Sequence, residues 1–120
     1  MITNFEEFTG NLTQEEIEIL PYVMNVLKCA SVVIPYKSPL IVSKVQAILG
    51  SRQIRMSFNE RKLRKFVNYI RINGIEPLIA TKDGYYITRD PKTISKQISS
   101  LEERARSIQM CANGLMKFTK

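Results

Sequence analysis

Apolar side chains recur along this chain at two periods, and the change from one to the other marks out its elements. Ile17, Leu20, Val23, Met24 and Leu27 fall on one face of a helix. Thr13 and Glu16 at its start fit a capping box, in which a hydroxyl and a carboxylate reciprocally satisfy two orphan backbone donors. Pro21 removes a hydrogen bond from the interior of that helix, so either a kink there or a later start is expected. After the short apolar run and break VVIPYK, the segment SPLIVSKVQAILG predicts a second helix. Ser38 is its expected N-cap, Pro39 its first residue, and Gly50 lies just past its end. Leu40, Ile41, Val45, Ile48 and Leu49 are its expected buried side. A small strand is expected around Ile54 to Met56. Ser57 and Glu60 then repeat the capping-box spacing. Leu63, Phe66, Val67 and Ile70, at i, i+3, i+4 and i+7, predict a third helix that stops at Asn73-Gly74.

The period then shortens to two. Leu78–Ala80 and Tyr85–Thr88 read as strands flanking TKDG, and Asp-Gly is a strong hairpin signal. Tyr85 and Tyr86 alternate across the second strand, so one is expected to pack inward and the other to face a ligand. Asp90-Pro91 restarts a helix that runs to about Asn113-Gly114. The fold class that follows is mainly α with a small β-hairpin (α+β). Three helices and a two-stranded hairpin form the winged helix-turn-helix arrangement, here followed by a long C-terminal helix. A three-helix bundle with an incidental hairpin is the alternative. Residues 1–12 read as an N-terminal arm with Phe5 and Phe8 as anchors, 13–90 as the winged helix-turn-helix domain, and 91–120 as a helix for packing or dimerisation.

Charge changes this picture more than bulk composition does. The 120 residues hold 18 Lys and Arg against 11 Asp and Glu, a net charge of +7. Glu6, Glu7, Glu15, Glu16 and Glu18 precede the first basic residue, Lys28, so the rest of the chain is more basic than the total suggests. A basic body of this kind favours a polyanionic partner, nucleic acid or an anionic membrane surface. The third helix concentrates the effect. At about 100° per residue, Arg61, Lys65, Asn68 and Ile72 lie opposite the apolar face, with Arg64 on the flank. A solvated helix ordinarily mixes acids and bases at i,i+4, whereas Glu60 is the only acid from Arg52 to Ile75. Arg can grip guanine and Asn adenine bidentately, while Lys neutralises phosphates without reading sequence. The expected DNA-binding residues are therefore Arg61, Arg64, Lys65 and Asn68, extended by Arg52, Arg55, Lys44 and, at the hairpin tip, Lys82.

The last helix carries Ile94, Ile98, Leu101, Ala105, Ile108, Ala112 and Leu115 at alternating spacings of four and three, a heptad seam. It is expected to pair with its own copy through Ile94, Ile98, Leu101, Ala105 and Ile108, the alternative being packing back on its own domain. Cys29 and Cys111 form no metal or redox motif and are expected to be two buried thiols. The opening MITNFEEF is acidic where a signal peptide would be basic, and no run approaches the ~20 apolar residues of a membrane span. A soluble cytoplasmic protein is expected. The chain has no histidine, no phosphate loop and no Cys/His/Asp constellation, which argues against an enzyme. No cofactor, metal or small-molecule substrate is expected, and the third helix has committed its apolar side to a core rather than to a membrane.

The stretch NERKLRKFVNYIRINGIEPLIATKDGYYIT, with LEERARSI after it, resembles small winged-helix proteins of bacteriophages and prophages. There, a helix of the type LRxxVNxIRxNG precedes an apolar strand, an xGYY hairpin and a helix containing SLxxRAxSI. The matching residues are Leu63, Arg64, Val67, Asn68, Ile70, Arg71, Gly74, Gly84, Tyr85 and Tyr86, then Leu101, Arg104, Ala105, Ser107 and Ile108. The resemblance spans about residues 38–113 and implies a phage protein acting in a bacterial host's cytoplasm. The function expected is double-stranded DNA binding, by a transcriptional regulator or a replication-associated factor. The alternative is a protein–protein adaptor that uses a winged helix to engage a replication or transcription protein.

Overall fold

The computed structural model describes residues 10–119; the expected anchors Phe5 and Phe8 and most of the N-terminal arm lie outside the described residues. The chain is mainly helical with one antiparallel hairpin, and it divides into two compact units, one up to Thr88 and one from Arg89.

In the first unit, α1 (Gln14–Lys28) begins at the expected capping box on Thr13 and runs unbroken through Pro21. Pro21 and Ile17, the residue whose carbonyl it deprives of a partner, are both exposed, so water can satisfy that carbonyl. Ile17 accordingly leaves the core, and Ile19 and Val26 join it. Helix α2 (Ser38–Ser51) starts one residue earlier than expected: Lys37 is its N-cap, without a side-chain hydrogen bond, and Ser38 is already helical. Gly50 lies inside it, and the chain turns at Gln53, at φ +58°. Leu40 is exposed, while Ile41, Val45 and Leu49 are buried.

Residues 54–56 form a connecting segment, not a strand. Helix α3 (Glu60–Ile72) is capped by Asn59, whose side chain accepts from the Lys62 amide at 2.8 Å, and not by Ser57. Phe58 explains the shift. It is buried against Phe66, with ring centroids 5.7 Å apart. Phe58 and Leu63 then occupy the two positions of a hydrophobic staple around that cap. Leu63, Phe66, Val67 and Ile70 are all in the core as expected.

Strands β1 (Leu78–Thr81) and β2 (Gly84–Ile87) pair with Thr81 opposite Gly84, so Lys82 and Asp83, rather than Asp-Gly, form the turn. Tyr85 and Tyr86 are both buried, which removes the expectation that one faces a ligand. A third, single-residue strand joins the hairpin: Tyr36 exchanges both backbone hydrogen bonds with Tyr85, at 3.0 and 2.8 Å. This close approach requires a glycine beside it. A Cβ on Gly84, itself at φ +132°, would lie 2.5 Å from the Tyr36 carbonyl oxygen. The core is shared by α1 against α2 and β2, α2 against α3, and α3 against β1.

The second unit is α4 (Pro91–Leu115), extended by a 3-10 turn at Met116–Phe118 and so longer than expected. Asp90 caps it through the Thr93 amide and hydroxyl. No residue of α4 is buried. Cys29 and Cys111 are exposed free thiols, contrary to the expectation of buried ones: Cys29 is the C-cap of α1, and Cys111 lies on α4, where no residue is buried. Among the described residues, no helix is long and apolar enough to cross a membrane.

Candidate nucleic-acid interface

The basic helix α3 is tied to α1 through one carboxylate. Glu16 is only 2% exposed, and its Oε1 accepts from the Thr13 amide at 2.8 Å to close the capping box. Lys62 Nζ donates to Oε2 at 2.6 Å and Lys65 Nζ to Oε1 at 2.7 Å. Burial by itself would push the Glu16 carboxyl up. The two ammonium groups and the Thr13 N–H outweigh it and hold the carboxyl at about 2. Lys65 therefore does not stand on an outward face. The first acidic helix holds it, and Lys62 with it, at the start of α3, although both side chains remain roughly a quarter exposed.

Asn68 also departs from the expected outer face. It is 4% exposed, so its amide is withdrawn from any surface a duplex could approach. The four apolar positions understate how much of the middle of α3 is enclosed. Arg61 is exposed and Arg64 partly so, and neither has a carboxylate within ion-pair distance among the described residues. Ile72, the remaining expected outer residue, is exposed.

The hairpin contributes next to α2. A groove of about 220 Å³ runs between the start of α2, the start of α3 and the hairpin tip, lined by Lys37, Ser38, Pro39, Glu60, Lys82 and Tyr85 among others. Lys37 and Lys82 are both exposed. The Tyr36–Tyr85 bridge brings them to one groove, so Lys37, which was not among the expected residues, lies with Lys82, which was. The only sequence signal for Lys37 was its place just ahead of a Ser-Pro helix start. Glu60 brings one negative charge to the groove, in the first turn of α3, where the helix dipole favours it. Lys44, on α2, is exposed with its ammonium 5.5 Å from the Tyr36 ring centroid.

Arg52 and Arg55 belong with α1 and not with this groove. The Arg52 guanidinium lies 4.9 Å from the Tyr22 ring centroid. Arg55 shares a hollow of about 320 Å³ with Glu15, Glu18, Ile19, Tyr22 and Ile54. These basic residues thus divide into four sets: a groove set of Lys37 and Lys82, with Lys44 against Tyr36; the helix pair Arg61 and Arg64; Lys62 and Lys65, bound to Glu16; and Arg52 and Arg55 beside α1. The groove set and the helix pair offer cations suited to phosphate oxygens. Searches against protein-family models, curated proteins and solved structures gave no match to this chain.

Proposed function

We propose that the chain is a non-enzymatic double-stranded DNA-binding protein of winged helix-turn-helix type, acting as a phage regulator or replication factor. The observation that carries this reading is the groove in which Lys37 and Lys82, from opposite sides of the hairpin bridge, flank the start of α2 and meet the first turn of α3. A third strand of one residue supports the winged reading over a bundle with an incidental hairpin, because it makes the hairpin part of the helical body. In this arrangement Arg61 and Arg64 contact the duplex from α3, while Lys37, Lys44 and Lys82 contact its phosphates. Lys62 and Lys65 add positive potential from behind the Glu16 contact.

The test is titration of the full chain onto random-sequence duplexes at several salt concentrations. Affinity that falls steeply with salt is expected, with a log–log slope shallower by about 1 for each of Arg61→Ala and Arg64→Ala. Absence of binding at low salt would overturn the reading.

A second reading, an adaptor that binds protein, is favoured by one feature. Val32, Val33 and Ile34 form a turn closed by Ser31 whose three apolar side chains are exposed. Exposed apolar clusters of this kind are used to contact proteins. Capture of a partner that survives high salt and is lost with Val33→Asp would favour it.

A further inference from the structure

Helix α4 holds an apolar seam open to solvent. Ile98, Ala105, Ile108, Ala112 and Leu115 are exposed, and Ile94 and Leu101 are half-buried. We propose that the same seam of a second copy covers it, laid antiparallel about a two-fold axis that passes between Arg106 and Ser107. This stands independently of whether the chain binds DNA.

The order of large and small residues selects the orientation. In a parallel pair each seam residue meets its own copy. Ala105 would face Ala105 and Ala112 would face Ala112, between layers of paired Leu101, Ile108 and Leu115. No single interhelical distance suits both kinds of layer: one that seats the leucines leaves voids at the alanines, and voids in a packed seam are destabilising. In the antiparallel pair, Ala105 meets Ile108 and Ala112 meets Leu101, twice each by symmetry, and Ile98 meets Leu115 at both ends. The four central layers then each combine one small and one large side chain, so the seam is complementary to itself, as an isologous interface requires.

Charge excludes one neighbouring register and seam length the other, since the opposite slide leaves Ile98 with no partner. Beside the seam, this alignment sets Arg104 next to Cys111 of the second copy and Glu102 next to Gln109, with no like charges in contact. Sliding the helices by one heptad, so that Leu101 covers Ala105, keeps large against small in the two central layers but sets Ile98 against Ile108. It would bring Arg104 beside Arg104 and Glu102 beside Glu102, which is repulsive on both flanks.

Sedimentation equilibrium of the full chain at tens of micromolar tests the association, and a mass twice 13.8 kDa is expected. Ile108 is exposed, so Ile108→Asp should leave the helical circular dichroism unchanged and give the single-chain mass. Orientation is read in a Cys29→Ser/Cys111→Ser background with a short thiol cross-linker. Alone, Ile98→Cys and Leu115→Cys should each fail to cross-link, because in the antiparallel pair like positions lie about 25 Å apart along the axis, at 1.5 Å per residue. Mixed, they should give a covalent heterodimer. A single-chain mass for the native protein would overturn the proposal, as would cross-linking of either variant with itself.

Discussion

Glu16 of α1 accepts a hydrogen bond from Lys65 of α3 at 2.7 Å, and its other oxygen accepts one from Lys62 at 2.6 Å. The same carboxylate closes the cap of its own helix. Removing it should therefore cost more than a cap. Loss of a cap is worth about 1 kcal/mol, and loss of one partner of a buried ion pair about 3–5 kcal/mol. The lysines here are partly exposed and can turn to water, which lowers the second figure. Glu16→Ala is expected to destabilise the fold by about 3–4 kcal/mol, and Glu16→Gln, which loses the charge but keeps an acceptor for Thr13, by somewhat less. Urea unfolding of both variants measures this, and a Glu16→Ala midpoint equal to the parent's would show the contact to be idle.

The same carboxyl gives a pH signature. It is held at about 2 in the folded chain against 4.5 in the unfolded one, so the folded state binds the proton less tightly. Its contribution is fully present above about pH 5 and is lost as pH falls towards 2. The shift corresponds to about 3 kcal/mol, of which about 2 kcal/mol should be gone by pH 3. Asp90 is also held below the ordinary carboxylate range, by the Thr93 hydroxyl and amide, but it is exposed. Glu16→Gln should therefore flatten most of the decline between pH 5 and pH 3; an unchanged decline would place the acid sensitivity elsewhere.

Asn68 separates a folding role from a reading role. An exposed asparagine on α3 would change sequence preference when replaced, without changing stability. A buried one should do the reverse. Asn68→Ala is expected to lower stability by about 1–3 kcal/mol, the cost of disturbing a buried polar group. Relative affinities across a library of duplexes should stay unchanged. A changed preference at unchanged stability would return Asn68 to the interface.

These residues also show what the sequence could reveal. The Thr13–Glu16 cap is written in four consecutive residues, and the α3 core in a spacing of i, i+3, i+4 and i+7, so both were legible. That Glu16 also holds Lys62 and Lys65 was not, because those partners lie 46 and 49 residues away. The Tyr36 strand is one residue long and carries no period, so the groove it creates, and with it Lys37, left no pattern to find. Asn68 was misplaced because helical periodicity gives the direction of the core but not how far it wraps around the helix. The start of α3 moved for a comparable reason: Phe58, a single apolar residue outside the periodic run, fixes the cap at Asn59.

Two glycines with opposite surroundings test the hairpin bridge. Gly84 has φ +132°, and a Cβ there would fall 2.5 Å from the Tyr36 carbonyl oxygen, a backbone atom that cannot step aside. Gly84→Ala is expected to destabilise by about 2 kcal/mol or more, combining a strained backbone with a broken bridge. Gly50 is helical with nothing within 4 Å of its would-be Cβ. Gly50→Ala should be neutral or stabilise by up to about 1 kcal/mol. Thermal unfolding ranks the two, and a tolerated Gly84→Ala would mean that the Tyr36–Tyr85 bridge does not hold the hairpin in place.

The groove set and the Glu16-bound lysines make a final contrast for DNA binding. Lys37 and Lys82 are exposed, with no carboxylate in ion-pair distance among the described residues. Replacing either should leave the unfolding free energy within about 0.5 kcal/mol of the parent's, as at most surface positions. Each replacement should also remove about one phosphate contact from the salt slope. Lys65 already neutralises Glu16, so Lys65→Ala should act first on stability. It strands a buried carboxylate that only Lys62 and the cap still satisfy, and its effect on the salt slope should be smaller than that of Lys82→Ala. Measuring both quantities for all three variants decides the matter. If Lys65→Ala alters the slope most and leaves stability untouched, α3 meets DNA through the face now turned to α1, and the groove is not the interface.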